Sequence, residues 1–234
     1  SWLELDNDEG FLLEPQTNFL IRRARLKFDG YAYSPKLQYK IELGLSNRDM
    51  SGTSPLTGNT PRFIMDAVLK WNFYKNFVLW AGQTKLPGNV ERVISSANLQ
   101  LVDRSFLNSL FNIDRDIGFQ LRHHIQLTDS FLIREIFAFS QGEGRNITTG
   151  NIGGHQYTAR LELLPFGKFA NKGDYFGSDL EREQNPKLMI GTSYDYNDDA
   201  VRNRSNMGIF MTNDVGFYET PIQTLFVDTM FKYR

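Results

Sequence analysis

The chain has 234 residues, 41% hydrophobic and 23% charged, with a formal net charge of −1 at pH 7. That length suits one large all-β domain or two ordinary ones, and no apolar run approaches the roughly 18 residues of a membrane helix, so a helical membrane protein is excluded. Cysteine is absent, which removes disulfides and thiolate chemistry and is compatible with an oxidising compartment.

Residues 1–17 read as an N-terminal segment. Its opening Ser1-Trp2-Leu3-Glu4-Leu5-Asp6 lacks the basic and apolar regions of a signal peptide, so an exported chain would be mature or trimmed here. From residue 18 onward the dominant signal is period-two alternation, the mark of strands with two unlike faces. In the first strand Ala24, Leu26 and Phe28 alternate with Arg23, Arg25, Lys27 and Asp29. Between Leu37 and Ser46 every odd position is apolar and every even one polar or Gly. Phe63, Met65, Ala67, Leu69, Trp71 and Phe73 are expected on one face of the third strand, with Arg62, Asp66, Lys70 and Asn72 on the other. Tyr157, Ala159, Leu161 and Leu163 alternate with Gln156, Thr158, Arg160 and Glu162.

The pattern predicts about nine strands, near 18–31, 36–46, 62–73, 76–85, 115–126, 131–141, 155–165, 187–196 and 222–234. Most have about 10 residues, the length that crosses a bilayer at barrel tilt, whereas strands of globular proteins usually have about five or six. Short turns at Tyr33-Ser34-Pro35, Tyr74-Lys75-Asn76 and Thr128-Asp129-Ser130 alternate with long polar loops at 47–61, 86–114 and 142–154. Short turns on one side and long loops on the other form the outer-membrane barrel pattern. Tyr31, Tyr33, Trp71, Phe73, Tyr74, Phe77 and Trp80 gather near strand ends as an interfacial girdle would. Segment 166–186 breaks the rhythm and is expected to be either disordered or a docking surface.

The series Phe19 to Gly30, Asp66-Ala67-Val68-Leu69, Ala81-Gly82-Gln83-Thr84-Lys85-Leu86-Pro87, Asp103-Arg104-Ser105-Phe106, Asp114 to Leu121, and Tyr157-Thr158-Ala159-Arg160-Leu161 with Pro165 resembles the phosphate-selective porin O and P family. The pieces run in family order over about residues 18 to 165. The resemblance implies an all-β, antiparallel transmembrane β-barrel of about sixteen strands in a bacterial outer membrane. Its implied partners are membrane lipid and small anions such as phosphate, in a homotrimer or larger outer-membrane assembly. The family's Lys-Pro-Pro-Phe-type ending stands here as Lys85-Leu86-Pro87-Gly88, and loop 86–114 contains no lysine. The resemblance therefore carries to the barrel more than to phosphate selectivity. Nine strands ending at Phe231-Lys232-Tyr233-Arg234, within an alternating stretch, are expected to be part of a longer chain.

With the apolar face against lipid, the polar face would line the lumen. That places Arg23, Arg25, Lys27, Lys40, Arg62, Lys70, Arg122, Arg160, Lys232 and Arg234 inward, and Lys85 joins the anion path. Asp29, Glu42, Asp66, Asp116, Glu162, Asp195 and Asp228 accompany them. Arg23, Arg25 and Lys27 would form a ladder at roughly 6–7 Å spacing, and rings or ladders of such cations select anions. The alternative is pairing across strands, as of Lys27 with Glu42. The family's loop after the fourth strand folds inward, and here it offers Glu91, Arg92, Asp103, Arg104 and Ser105, with Arg115 just past its end. Arg104 and Ser105 would either meet a passing oxyanion or anchor the loop to the wall.

No enzyme motif occurs: there is no nucleophile elbow, phosphate loop or paired-histidine zinc motif. His123 and His124 are adjacent and so point to opposite faces of a strand. Asp6-Asn7-Asp8-Glu9-Gly10 lacks the closing Glu of a calcium loop, and no helix follows Gly142-Glu143-Gly144-Arg145. Neither metal nor cofactor is expected, and interleaved acids and bases leave no nucleic-acid stripe. Two other functions fit the pattern less well: a plugged barrel acting as scaffold of a larger complex, and a soluble β-sandwich binding module.

Overall fold

The computed structural model describes residues 2–4, 16–18, 21, 23–46, 49, 50 and 62–234; most of the expected N-terminal segment and of loop 47–61 lies outside these. β1 (Trp2–Glu4) and β2 (Gln16–Asn18) pair with each other. The main sheet contains β3 (Arg25–Ala32), β4 (Ser34–Gly44), β5 (Ile64–Tyr74), β6 (Phe77–Lys85), β7 (Arg115–Gln126), β8 (Leu132–Ser140), β9 (Gln156–Leu164) and β10 (Lys187–Ala200). A hairpin of β11 (Arg202–Arg204) and β12 (Met207–Phe210) precedes its last strand, β13 (Thr220–Lys232).

The main sheet is an antiparallel meander in the order β13-β10-β9-β8-β7-β6-β5-β4-β3. It contains all nine expected strands, eight to fourteen residues long. The first begins at Arg25, later than expected, and β10 runs on to Ala200. Tight turns at the short end place Tyr33 and Lys75 in the left-handed region, at φ 63° and 42°. This single sheet is not the β-sandwich allowed by the alternation, since its apolar face is uncovered.

That face is inside out relative to a soluble protein. On β9, Gln156, Thr158, Arg160 and Glu162 are all at most 8% exposed, while Tyr157 and Leu161 between them are 40% and 42% exposed. Leu69, Trp71, Ile117, Phe119, Phe137, Ile190, Leu225 and Val227 are likewise exposed. A contiguous apolar face of this extent is costly in water and is what a strand presents to hydrocarbon. At the short-turn end Trp71, Phe73, Phe77 and Tyr74 form a chain of ring contacts, with centroids 5.7–6.4 Å apart.

One residue departs from the expected alternation and another from the expected girdle. Met65 is skipped where Glu42 pairs with Asp66 and Leu43 with Ile64, and it is buried on this bulge rather than exposed. Trp80 pairs with Lys70 across the strands and sits on the polar face, not in the girdle.

The polar face is covered by its own connections, and two apolar seats hold them. Leu86 and Ile113, at the two ends of loop 86–114, pack with Ala138 and Phe226 of the wall. At the short-turn end Leu132, Leu164 and Met189 pack with Phe169 of segment 166–186, with Val90 and Met230 against them. That segment is therefore ordered against the wall rather than disordered. The Lys232 ammonium donates to the Gly173, Phe176 and Ser178 carbonyls at 2.7–2.9 Å, and Arg134 pairs with Asp174. Gly177 N–H donates to the Asn98 carbonyl at 2.7 Å, so the segment also touches loop 86–114.

Candidate functional site

Loop 86–114 carries two short helices, α1 (Val90–Val93) and α2 (Phe106–Leu110). Asn89 caps α1, accepting from Arg92 N–H at 2.8 Å, and Ser105 caps α2, accepting from Asn108 N–H at 3.1 Å. The Ser105 hydroxyl donates to Glu91 at 2.6 Å, locking one helix to the other. The Arg104 guanidinium donates to the Glu91 and Ile94 carbonyls at 2.9 and 2.8 Å. Lys85, from the end of β6, donates to the carbonyls of Arg92, Val93 and Ile94 at 2.8–3.0 Å. Both side chains thus satisfy the orphan carbonyls at the end of α1. Ser105 and Arg104 bond within loop 86–114 itself and not to the wall.

Beneath the loop an alternating ionic chain crosses β3, β4, β5 and β7. Arg25 grips Asp49 through two bonds of 2.8 and 2.9 Å and reaches Glu42 at 3.2 Å. Lys40 lies 2.8 Å from Glu42 and also pairs with Asp66. Asp66 accepts from Arg115 at 2.9 Å, and Arg115 lies 3.6 Å from Asp114, which pairs with Arg92. Burial alone would raise the Asp114 carboxyl, but Arg92 and Arg115 together hold it well below the usual carboxylate range. Burial likewise opposes ionisation of Asp49, and its Arg25 bond outweighs that and lowers it.

This chain reshapes the expected ladder. Arg25 is ion-paired, Lys27 pairs with Asp29 at 3.0 Å in an exposed position, and only Arg23 and Arg25 share a cavity. Lys27 does stand opposite Glu42 in register, but Glu42 is taken by Arg25 and Lys40. Arg160 is fully engaged with Glu162, two bonds to Asp228, Ser193 and the Gly88 carbonyl, all at 2.7–2.9 Å. A Cβ at Gly191 would lie 2.3 Å from this guanidinium, so the strand needs glycine there. Lys70 and Arg122 stack on Trp80, 4.0 and 3.8 Å from its centroid. Arg62 lies at the head of β5, outside the cavity. Asp195 accepts from Gln156, Thr158 and Ser205, which ties the β11–β12 hairpin onto the same face.

Where the loop meets the wall there is a cavity of about 170 Å³ lined by Arg23, Arg25, Lys85, Arg92, Arg104, Arg115 and Arg145, against only two carboxylates, Asp49 and Asp114. Arg145 was not singled out from the sequence; it reaches in from loop 141–155, donating to the Asp49 carbonyl at 2.7 Å. Asp114 was legible in the Asp114-Arg115-Asp116 run, where acids flank the base. Burial and the neighbouring Arg92 push the Arg104 pKa down to about 10, and burial lowers Arg145 too. Both stay protonated at neutral pH. Their partners are neutral groups, so these two positive charges stand without a carboxylate of their own. Among the described residues there is no cluster suited to a metal ion.

No curated protein matches the chain. The sequence model of the phosphate-selective porin O and P family matches residues 4–213. With the single antiparallel sheet, its apolar outer face and the charged inner one, this match establishes the chain as a member of the phosphate-selective porin O and P family, a family of bacterial outer-membrane porins that are channels rather than enzymes.

Proposed function

We propose that this channel passes small solutes by passive diffusion with a preference for anions, and that loop 86–114 narrows its path. The observation that carries the reading is the charge excess in the loop cavity, where Arg104 and Arg145 are held by carbonyl oxygens. A carbonyl satisfies a donor's geometry and leaves its unit charge in place, whereas a carboxylate cancels it at a distance. In a cleft with low-dielectric walls the surplus attracts anions and repels cations. Arg25, Lys40, Arg115 and Arg160, by contrast, are paired with carboxylates and add little net charge. The expected solutes are small anions such as phosphate.

The test is the reversal potential of the full-length protein in a planar bilayer under a salt gradient. Anion preference gives the sign of the anion's Nernst potential, and the cation's sign contradicts the reading. Assembly as a homotrimer or a larger outer-membrane complex belongs to the same proposal, and cross-linking in native membranes tests it.

A further inference from the structure

A second cavity, of about 480 Å³, lies at the opposite, short-turn end of the polar face, between β7–β8 and segment 166–186. Its composition differs from that of the loop cavity. Val78, Leu132, Ile136 and Phe169 give it an apolar floor, and Arg122, Arg134, Lys168 and Lys172 give it cations. Its single carboxylate, Asp174, is paired with Arg134. Arg122 donates to the neutral Gln120 side-chain oxygen at 3.0 and 3.3 Å and stacks on Trp80. Lys168 and Lys172 are exposed, and among the described residues neither has a carboxylate within ion-pair distance. Lys172 follows Asn171 in a double left-handed turn, at φ 47° and 61°, which sharply reverses the chain at the cavity edge. The floor is fixed, since Phe169 and Leu132 belong to a buried cluster.

We propose that this cavity is a binding site for small organic anions with an apolar body, of which aromatic carboxylates are the simplest class. The volume lies within the usual range of ligand pockets, roughly 300–1,000 Å³. An inorganic anion would meet the cations and leave the floor wetted, while an apolar molecule without charge would leave the cations unpaired. Only a molecule with both parts satisfies both. The loop cavity is smaller, and its only apolar lining is Met65, so it suits compact inorganic anions. The two cavities therefore sort anions by their bodies. The site depends on the porin reading for its place in the path, but binding itself is measurable without conduction.

The experiment is a calorimetric titration of the detergent-solubilised full-length protein with benzoate, acetate and phosphate, repeated on a Lys168→Ala/Lys172→Ala variant. Both lysines are exposed, so the fold tolerates the change. Benzoate is expected to bind saturably and at least about tenfold more tightly than acetate, which has the charge without the body; by affinity arithmetic that is about 1.4 kcal/mol. The double variant is expected to weaken benzoate at least fivefold, and Lys36→Ala, an exposed lysine at a short turn outside the cavity, to leave it unchanged. Equal affinity for benzoate and acetate, benzoate binding unaltered in the double variant, or no benzoate binding would overturn the proposal. A cation-selective reversal potential beside intact benzoate binding would instead sink the anion-preferring reading and leave the site standing.

Discussion

Arg115 and Asp66 meet at 2.9 Å with side chains only 5% and 2% exposed, the most deeply buried ion pair of the described wall. Asp66 serves Lys40 as well, so it is the junction of the ionic chain beneath the loop. Removing one member of a buried pair leaves uncompensated charge, which costs about 3–5 kcal/mol. Asp66→Ala is therefore expected to lower stability by that order in denaturant unfolding of the detergent-held protein. A change under about 1 kcal/mol would mean that water already screens the pair.

Trp80 carries two cations, Lys70 and Arg122. Trp80→Leu keeps an apolar side chain and removes the ring's negative faces. The expected loss is about 1–2 kcal/mol, read from the same unfolding curves. Trp80→Phe should recover part of it, because the smaller ring still offers a π-face; equal effects of Leu and Phe would point to packing alone.

Phe169 holds segment 166–186 in the apolar seat formed by Leu132, Leu164 and Met189. Truncating such an anchor costs about 3–5 kcal/mol. Phe169→Ala is expected to release the segment, so that limited proteolysis cuts within 166–186 while the strands stay resistant. An unchanged digestion pattern would show that the Lys232 carbonyl contacts hold the segment unaided.

The acid stability of the loops follows from Asp49 and Asp114. Both titrate below the ordinary value of 3.8 because of Arg25, Arg92 and Arg115. A carboxyl lowered in the folded state contributes stability that is complete above its unfolded value and lost as pH falls through the folded one. Loop order, measured as single-channel current noise, should thus hold from neutral pH down to about that ordinary value and fail only below it. Noise that grows already on mild acidification would contradict this account.

The nine strands were legible because alternation is a local property: each residue shows its face by its own chemistry, and a slip of one residue would bury the wrong set. Met65 and Trp80 were misread because a bulge and a cross-strand cation, neither visible in local sequence, set their surroundings. The ladder of Arg23, Arg25 and Lys27 assumed that inward cations face water. The partner of Arg25, Asp49, lies in the following loop, beyond what strand pairing can anticipate. Segment 166–186 seemed irregular because its apolar anchor, Phe169, has no periodicity to announce it. The apolar seat below it comes from Leu132, Leu164 and Met189, apolar residues on the otherwise polar face.

Arg104 and Arg145 are the residues on which the anion preference turns, since each faces the loop cavity and is bound by carbonyls. The most direct measurement is the chloride-to-potassium permeability ratio of the full-length protein in a planar bilayer, before and after the Arg104→Gln/Arg145→Gln exchange. Glutamine keeps a donor for the carbonyls and removes the charge. A ratio above one in the native protein, falling toward one or below in the variant with the channel still open, is the predicted result. A ratio unmoved by the exchange would contradict the assignment of selectivity to these cations.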